Sequence, residues 1–307
     1  MAEAAAPPLE PATAAEGTVA PPQVEAAVAA AAGGAGANEA HGDVPAELLE
    51  EWRSEQERMR DLILDQDDLP GWDGSTLEGL RVVAGIDISF FKDSHVKAVA
   101  ALALLKFPSL EHLHTLAVDV ELTQPYKCGF LGFREVPFMV RLLDLARRDF
   151  PDLVPQVVLV DGNGVLHPKR CGSASHFGVM ADCPTIGVAK NLLSVAQDVT
   201  EKTFRQEHKD RLARRGDQHP ILDDDGRTVG MAYVNSDSGK PVYISVGHRI
   251  SLDTAVAVVE ACSKHRVPEP VRLADLDSRS VVRDRLGEQM MLEPPKGRDV
   301  RIYSNER

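Results

Sequence analysis

The chain has 307 residues, 43 % of them hydrophobic, and a formal net charge of −13. That is enough apolar material for a substantial core in one large domain or two small ones. The longest uninterrupted apolar run, Ala98 to Leu105, falls well short of the roughly 18 to 20 residues that a membrane helix needs, so no membrane partner is expected.

The first 46 residues are dominated by Ala, Pro, Gly and Glu and carry six acids with no Lys or Arg. They lack the basic and apolar regions of a secretory signal and the arginines of an organelle transit peptide, so an intracellular address is expected. Their scarcity of large apolar side chains predicts a disordered tail over 1–46. A helix is expected from Pro45 to Asp65, where Leu48, Leu49, Trp52, Met59, Leu62 and Ile63 recur at helical spacing. From Leu80, the stretches RVVAGIDISF, VKAVAALALLKF and HLHTLAVDVEL are rich in β-branched residues and predict a three-strand meander. A helix over Glu135 to Phe150, a strand over Gln156 to Val160, a helix over Ser173 to Asp182 and a strand in PTIGVA then alternate as a parallel portion of a sheet should. Glu207 to Arg227 reads as an exposed excursion, GMAYV and VYISV as strands, and Leu252 to Ser263 as a helix. Cys128, Cys171, Cys183 and Cys262 contain no CxxC pair, which favours free thiols over a zinc site.

Asp87 lies inside the apolar strand GIDISF. A charge there requires a metal, an ion pair or exposure at a strand end, and the last is the commoner case for a lone Asp. Asp161 is the stronger signal: PQVVLVDGNG drives a buried strand straight into an acid and a Gly-x-Gly turn. Ligands gather at the carboxyl ends of parallel strands, although Asp-Gly is also an ordinary turn. Glu135 opens a helical segment, where a carboxylate also satisfies the helix dipole. Three acids from separate elements form the all-oxygen set that Mg²⁺ selects, and phosphodiester hydrolysis is its natural use. Lys190, His167, His176 and His248 stand in segments that could handle phosphate or protons, each a weak signal alone.

GIDISF, PYKCGFLGFRE, DGNGVLHPKRCGSASHFGV, GVAKNLL and SVGHRIS, in this order, resemble the endonuclease V family over about Asp65 to Ser280. The resemblance implies an α/β, ribonuclease H-like fold with a mixed five-stranded sheet flanked by helices. It implies a catalytic domain over 47–285, with a C-terminal tail over 286–307. It places the metal acids on Asp87, Glu135 and Asp161, a catalytic lysine on Lys190 and a site histidine on His248. Pro125, Tyr126, Lys127 and Cys128 match the strand-separating wedge, where an aromatic ring suits the gap left by an extruded base. Cys128 departs from the Pro of bacterial members and loses that residue's fixed φ. The base pocket falls on Gly129, Leu131, Gly162, Gly164 and Gly187, with His167 and His176 nearby.

The implied activity is Mg²⁺-dependent cleavage, Mn²⁺ able to substitute, at the second phosphodiester 3′ to inosine, leaving 3′-hydroxyl and 5′-phosphate ends. DGNG, PYKCGFLGFREV and KHRVPEPVRLADLDSR are similar to eukaryotic members, which implies inosine-containing single-stranded RNA as substrate. A deoxyinosine-specific DNA repair enzyme is the nearest rival, and a non-catalytic inosine-RNA reader is the alternative of another class. A monomer in the cytoplasm and the nucleus or nucleolus is expected. The negative charge counts against a nucleic-acid partner. Six of the acids lie in the tail and three would face a cation, which leaves Lys169, Arg170 and Lys190 to meet phosphates.

Overall fold

The computed structural model describes residues 44–92, 94–193, 201–236, 239–286 and 300–303. The expected N-terminal tail, except its last three residues, lies outside the described residues, as does most of the expected C-terminal tail. The first element is helix α1 (Ala46–Arg60). The meander follows as β1 (Val82–Phe90), β2 (Lys97–Lys106) and β3 (Glu111–Glu121). Next come α2 (Leu131–Asp149), β4 (Val157–Asp161), α3 (Ser173–Ala181) and β5 (Thr185–Ala189). The chain continues through α4 (Glu201–Glu207), β6 (Gln218–Leu222), β7 (Thr228–Tyr233), β8 (Val242–His248), α5 (Leu252–Ala261), α6 (Glu269–Leu286) and β9 (Val300–Tyr303).

One mixed sheet runs in the order β6-β7-β8-β5-β4-β1-β2-β3-β9. Its centre is the expected five-stranded unit: β1 pairs antiparallel with β2 and β2 with β3, while β4 pairs parallel with both β1 and β5. The sheet is larger than five strands because β8 and the β6–β7 hairpin build on the free edge of β5, and β9 adds to β3. An unpaired strand edge exposes a row of hydrogen-bonding groups, and these additions cover it. The expected excursion over 207–227 therefore ends in a paired strand, β6.

In β2 the eight residues Ala98 to Leu105 are all buried, because helices cover both faces of the sheet and a central strand then needs no polar side. One face packs on α5 and α6 through Val83, Val157, Leu159, Ile186 and Val271. The other packs on α2 and α3 through Ile86, Val158, Val160, Met139 and Phe177. Alternation along each strand decides which layer a side chain meets, and this parity positions the site. Among the described residues no helix is long and apolar enough to cross a membrane.

Candidate active site

Asp87 shares the α6 face of β1 with Val83, Gly85 and Ser89 by the two-residue period. Two contacts fix α6 along that face. A Cβ on Gly85 would sit 2.0 Å from the Pro270 carbonyl carbon, and Ser89 Oγ lies 2.7 Å from Ser278 Oγ; between them, Asp87 feels the charge of Asp275. Eight helical residues span about 12 Å and four strand residues about 13 Å, so α6 lies alongside β1 and the contacts keep in step. Thr115 of β3 adds a third anchor by donating to Asp277 Oδ2 at 2.7 Å.

On the neighbouring strand, Ile86 pairs with Val160. Asp87 and Asp161 thus follow at the same level of two parallel strands, and their carboxyl groups share a hydrogen bond. Lys190, just beyond β5, donates from Nζ to Asp161 Oδ2 at 2.5 Å. Glu135 arrives from the opposite layer on α2. That helix begins at Leu131, so Glu135 sits a turn inside it instead of opening it.

The cluster holds more negative charge than its single ammonium can neutralise. Burial first, then the Asp161 charge and the hydrogen bond to it, raise the Asp87 pKa to about 8; Asp275 adds to this and Lys190 opposes it. Burial raises Glu135 to about 7, with Arg134 opposing and Asp161 adding. For Lys190, burial is the largest influence and works against the charge, but Asp161, Asp87 and Asp275 outweigh it and hold its pKa above the ordinary value. Groups in this state are satisfied by shared protons or by a cation. Their donors are all carboxylate oxygens, which fits a hard divalent cation. Among the described residues no three His, Cys, Asp or Glu side chains close into a cage; the acids form an open oxygen-lined edge with Lys190 set among them.

Asp275 joins this cluster without a distinguishing mark in the sequence. It lies on α6, ion-paired with Arg279 at 2.8 Å, and its charge acts on both Asp87 and Lys190. The only sequence signal was its place in PVRLADLDSR, where several charges alternate along a helix and none stands out.

Against the acids lies a cavity of about 230 Å³ whose walls include Glu135, Asp161, Gly162, Gly129, Leu131, His167 and His176. Tyr126, half exposed, and the exposed Cys128 also line it; Pro125 and Lys127 flank them in the chain and are not among the lining residues. Gly129 has φ +85°, a left-handed conformation that glycine adopts without strain. His167 Nδ1 accepts the Lys169 backbone N–H at 3.2 Å, which puts its ring proton on Nε2. Burial, with Lys169 adding, lowers its pKa to about 4. Burial likewise takes His176, edge-on to Phe133, to about 4.

Four expectations are corrected. Gly164 and Gly187 do not line the cavity: a Cβ on Gly187 would lie 2.4 Å from the Gly164 nitrogen, and one on Gly164 would lie 1.9 Å from the Val246 oxygen. They let the loop after Asp161 lie flat on the sheet. His248 stands apart from the acids, because it pairs with Thr185 at the amino end of β5 while Asp161 pairs with Val188 near the other end. There its Nδ1 accepts the Leu64 N–H at 3.3 Å. Arg170 is committed to Asp223 at 2.5 Å, and Lys190 to Asp161, so of the three basic residues only Lys169 is an exposed cation.

Comparison with known proteins agrees with this architecture. The family model described as Endonuclease V matches residues 72–276. Human Endonuclease V is 46 % identical over 251 residues, 81 % of this chain and 88 % of the relative; the mouse protein is 43 % identical over 83 % of this chain and 75 % of its own length. The crystal structure of the human catalytic domain superposes with a TM-score of 0.76, covering 80 % of this chain and 99 % of that one. Ciona intestinalis Endonuclease V, solved with inosine-containing DNA, gives 0.73 at 34 % identity, with 78 % and 99 % covered. With its ribonuclease H-like sheet and its edge of acids, the chain belongs to the Endonuclease V family of phosphodiester-cleaving endonucleases.

Proposed function

We propose that this chain is a metal-dependent endonuclease that cuts single-stranded RNA at the second phosphodiester 3′ to inosine, leaving 3′-hydroxyl and 5′-phosphate ends. The observation that carries the reading is the small glycine-walled cavity set directly against the carboxylates, with Glu135 and Asp161 belonging to both. Such a cavity admits one flat base and holds its neighbouring backbone at the acids. The Ciona relative was crystallised with DNA containing an inosine followed by a ribo-adenosine, which supports inosine as the base and a ribose beside it as a contact.

Asp87, Asp161, Glu135 and Asp275 would hold Mg²⁺, or Mn²⁺ in its place. A divalent cation there supplies charge neutralisation at the phosphoryl oxygens and acidifies water. Lys190 keeps its proton and fixes Asp161. Neutral His167 offers an Nε2–H to the base, and Tyr126 provides a stacking face at the mouth of the cavity.

The test is cleavage of matched single-stranded oligonucleotides carrying one inosine in RNA or in DNA, with and without Mg²⁺. Metal-dependent cutting of the RNA at the second 3′ phosphodiester is expected. Equal or faster cutting of the DNA overturns the RNA assignment.

A further inference from the structure

The cavity is completed by a side chain from outside the segment that the family model matches. α1 precedes residue 72, where the match begins, yet it is built into the site. Trp52 stacks on Phe133 at 5.3 Å and 10° and lies 5.9 Å from Phe130. One helical turn on, Gln56 is 4 % exposed and lines the cavity. Its Nε2 donates to the Gly129 carbonyl and to the Cys171 carbonyl, each at 2.9 Å.

Those two partners settle which way the carboxamide faces. A backbone carbonyl can only accept, so both must meet the NH₂ end, and the oxygen is turned away from them. Among the described residues no donor reaches Gln56 Oε1, and this polar atom belongs to a side chain on the cavity wall. The other side chain at Gly129 is His167, whose Nε2 would lie 3.8 Å from a Cβ on that glycine and carries a proton. The cavity wall therefore carries both an acceptor and a donor. A 6-oxopurine presents the complement, an N1–H beside an O6 acceptor, whereas adenine presents both with reversed polarity.

We propose that Gln56 is a specificity-determining residue of the cavity, its carboxamide oxygen accepting the N1–H of a 6-oxopurine while its nitrogen clamps the Gly129 and Cys171 walls. This rests on the reading of the cavity as a base pocket. A site built to pair a buried donor rejects the analogue lacking it, because its own polar group is left without a partner.

The experiment compares RNA containing inosine with the same RNA containing 1-deazainosine, in which N1–H becomes C–H and the oxo form carries its ring proton on N3, using the full chain and its Gln56→Leu variant so that the N1 contact is isolated by the difference between the two enzymes. In the wild type, kcat/KM should fall by about 10- to 100-fold on the 1-deaza substrate. In Gln56→Leu the same change of substrate should cost at most about 2-fold, while the Mg²⁺ concentration for half-maximal activity is unchanged. Equal losses in both enzymes would overturn the proposal by making Gln56 merely structural. If the variant does not fold, wild-type indifference to the 1-deaza substrate overturns it equally. Failure of the wild type to cut the inosine RNA at all would instead remove the base-pocket reading.

Discussion

Two concave regions of this molecule differ in a way that size alone would misjudge. The larger, an open groove of about 670 Å³, is bordered by Lys202, Arg205 and Lys209 around α4. The smaller, of about 230 Å³, is walled largely by glycine, aromatic and histidine residues and touches the acids. A basic groove attracts any phosphate chain, but attraction without convergence of distinct elements does no chemistry. The small cavity draws on α1, α2, the loop after β4 and α3, and its carboxylates hold a charge imbalance that ordinary stability would remove. Electrostatic tension of this kind marks the small cavity, and not the groove, as the candidate for chemistry.

That division can be broken by substitution. Asp161→Ala should lower single-turnover cleavage by roughly three orders of magnitude or more, because it removes a proposed cation ligand and the partner of Lys190 together. Asp275→Asn should lower it by about 100-fold, with part of the loss recovered at high Mg²⁺. If Asp275→Asn left the Mg²⁺ dependence untouched, α6 would have no part in the site.

A second test sharpens the comparison through stability. His167 and His176 have folded-state pKa values lowered to about 4, chiefly by burial, against about 6.5 when unfolded. Above pH 6.5 both states are neutral and full stability is present. As pH falls towards 4 the unfolded chain takes up protons first, so stability is lost across that window, by on the order of 3 kcal/mol per histidine as an upper bound. Asp87 and Glu135, with raised pKa values, bind protons in the folded state and act in the opposite direction between about pH 8 and 4. The informative quantity is therefore a difference: by urea unfolding, His176→Asn should gain stability relative to the wild type as pH falls from 7 to 5, because the variant loses the histidine's opposing contribution. An unchanged slope would show that His176 is not held neutral.

The smallest effect is expected in the groove. Reversing Lys209 to Glu should reduce kcat/KM no more than a few-fold at moderate salt and make cleavage less salt-sensitive, as the loss of one phosphate contact does. A loss as large as that of Asp275→Asn would erase the distinction between the two regions.

The acids on strands were legible because a carboxylate inside an apolar run must have a reason, as at Asp87 and Asp161. Asp275 and Gln56 were not, since each sits on a polar helix whose buried face is set by packing and not by local pattern. The central strands were equally plain from their β-branched runs. β6 was hidden by the polar QHPIL, whose residues suit an edge strand, and α6 by its alternating charges. His248 and the glycines at 164 and 187 stand in motifs that mark the site, yet His248 meets the Leu64 N–H and the two glycines let the loop after Asp161 approach the sheet.

Gly85 gives this last point its sharpest form. Because β1 carries only a hydrogen where the start of α6 lies against it, the Pro270 backbone settles against the strand, and the approach of Asp275 to Asp87 follows from that contact. The spacing of the two carboxylates thus depends on the smallest side chain in the protein, two residues from Asp87 and without any charge of its own. A single methyl group at this position would meet the Pro270 carbonyl carbon at 2.0 Å and force α6, with Asp275 on it, away from the strand.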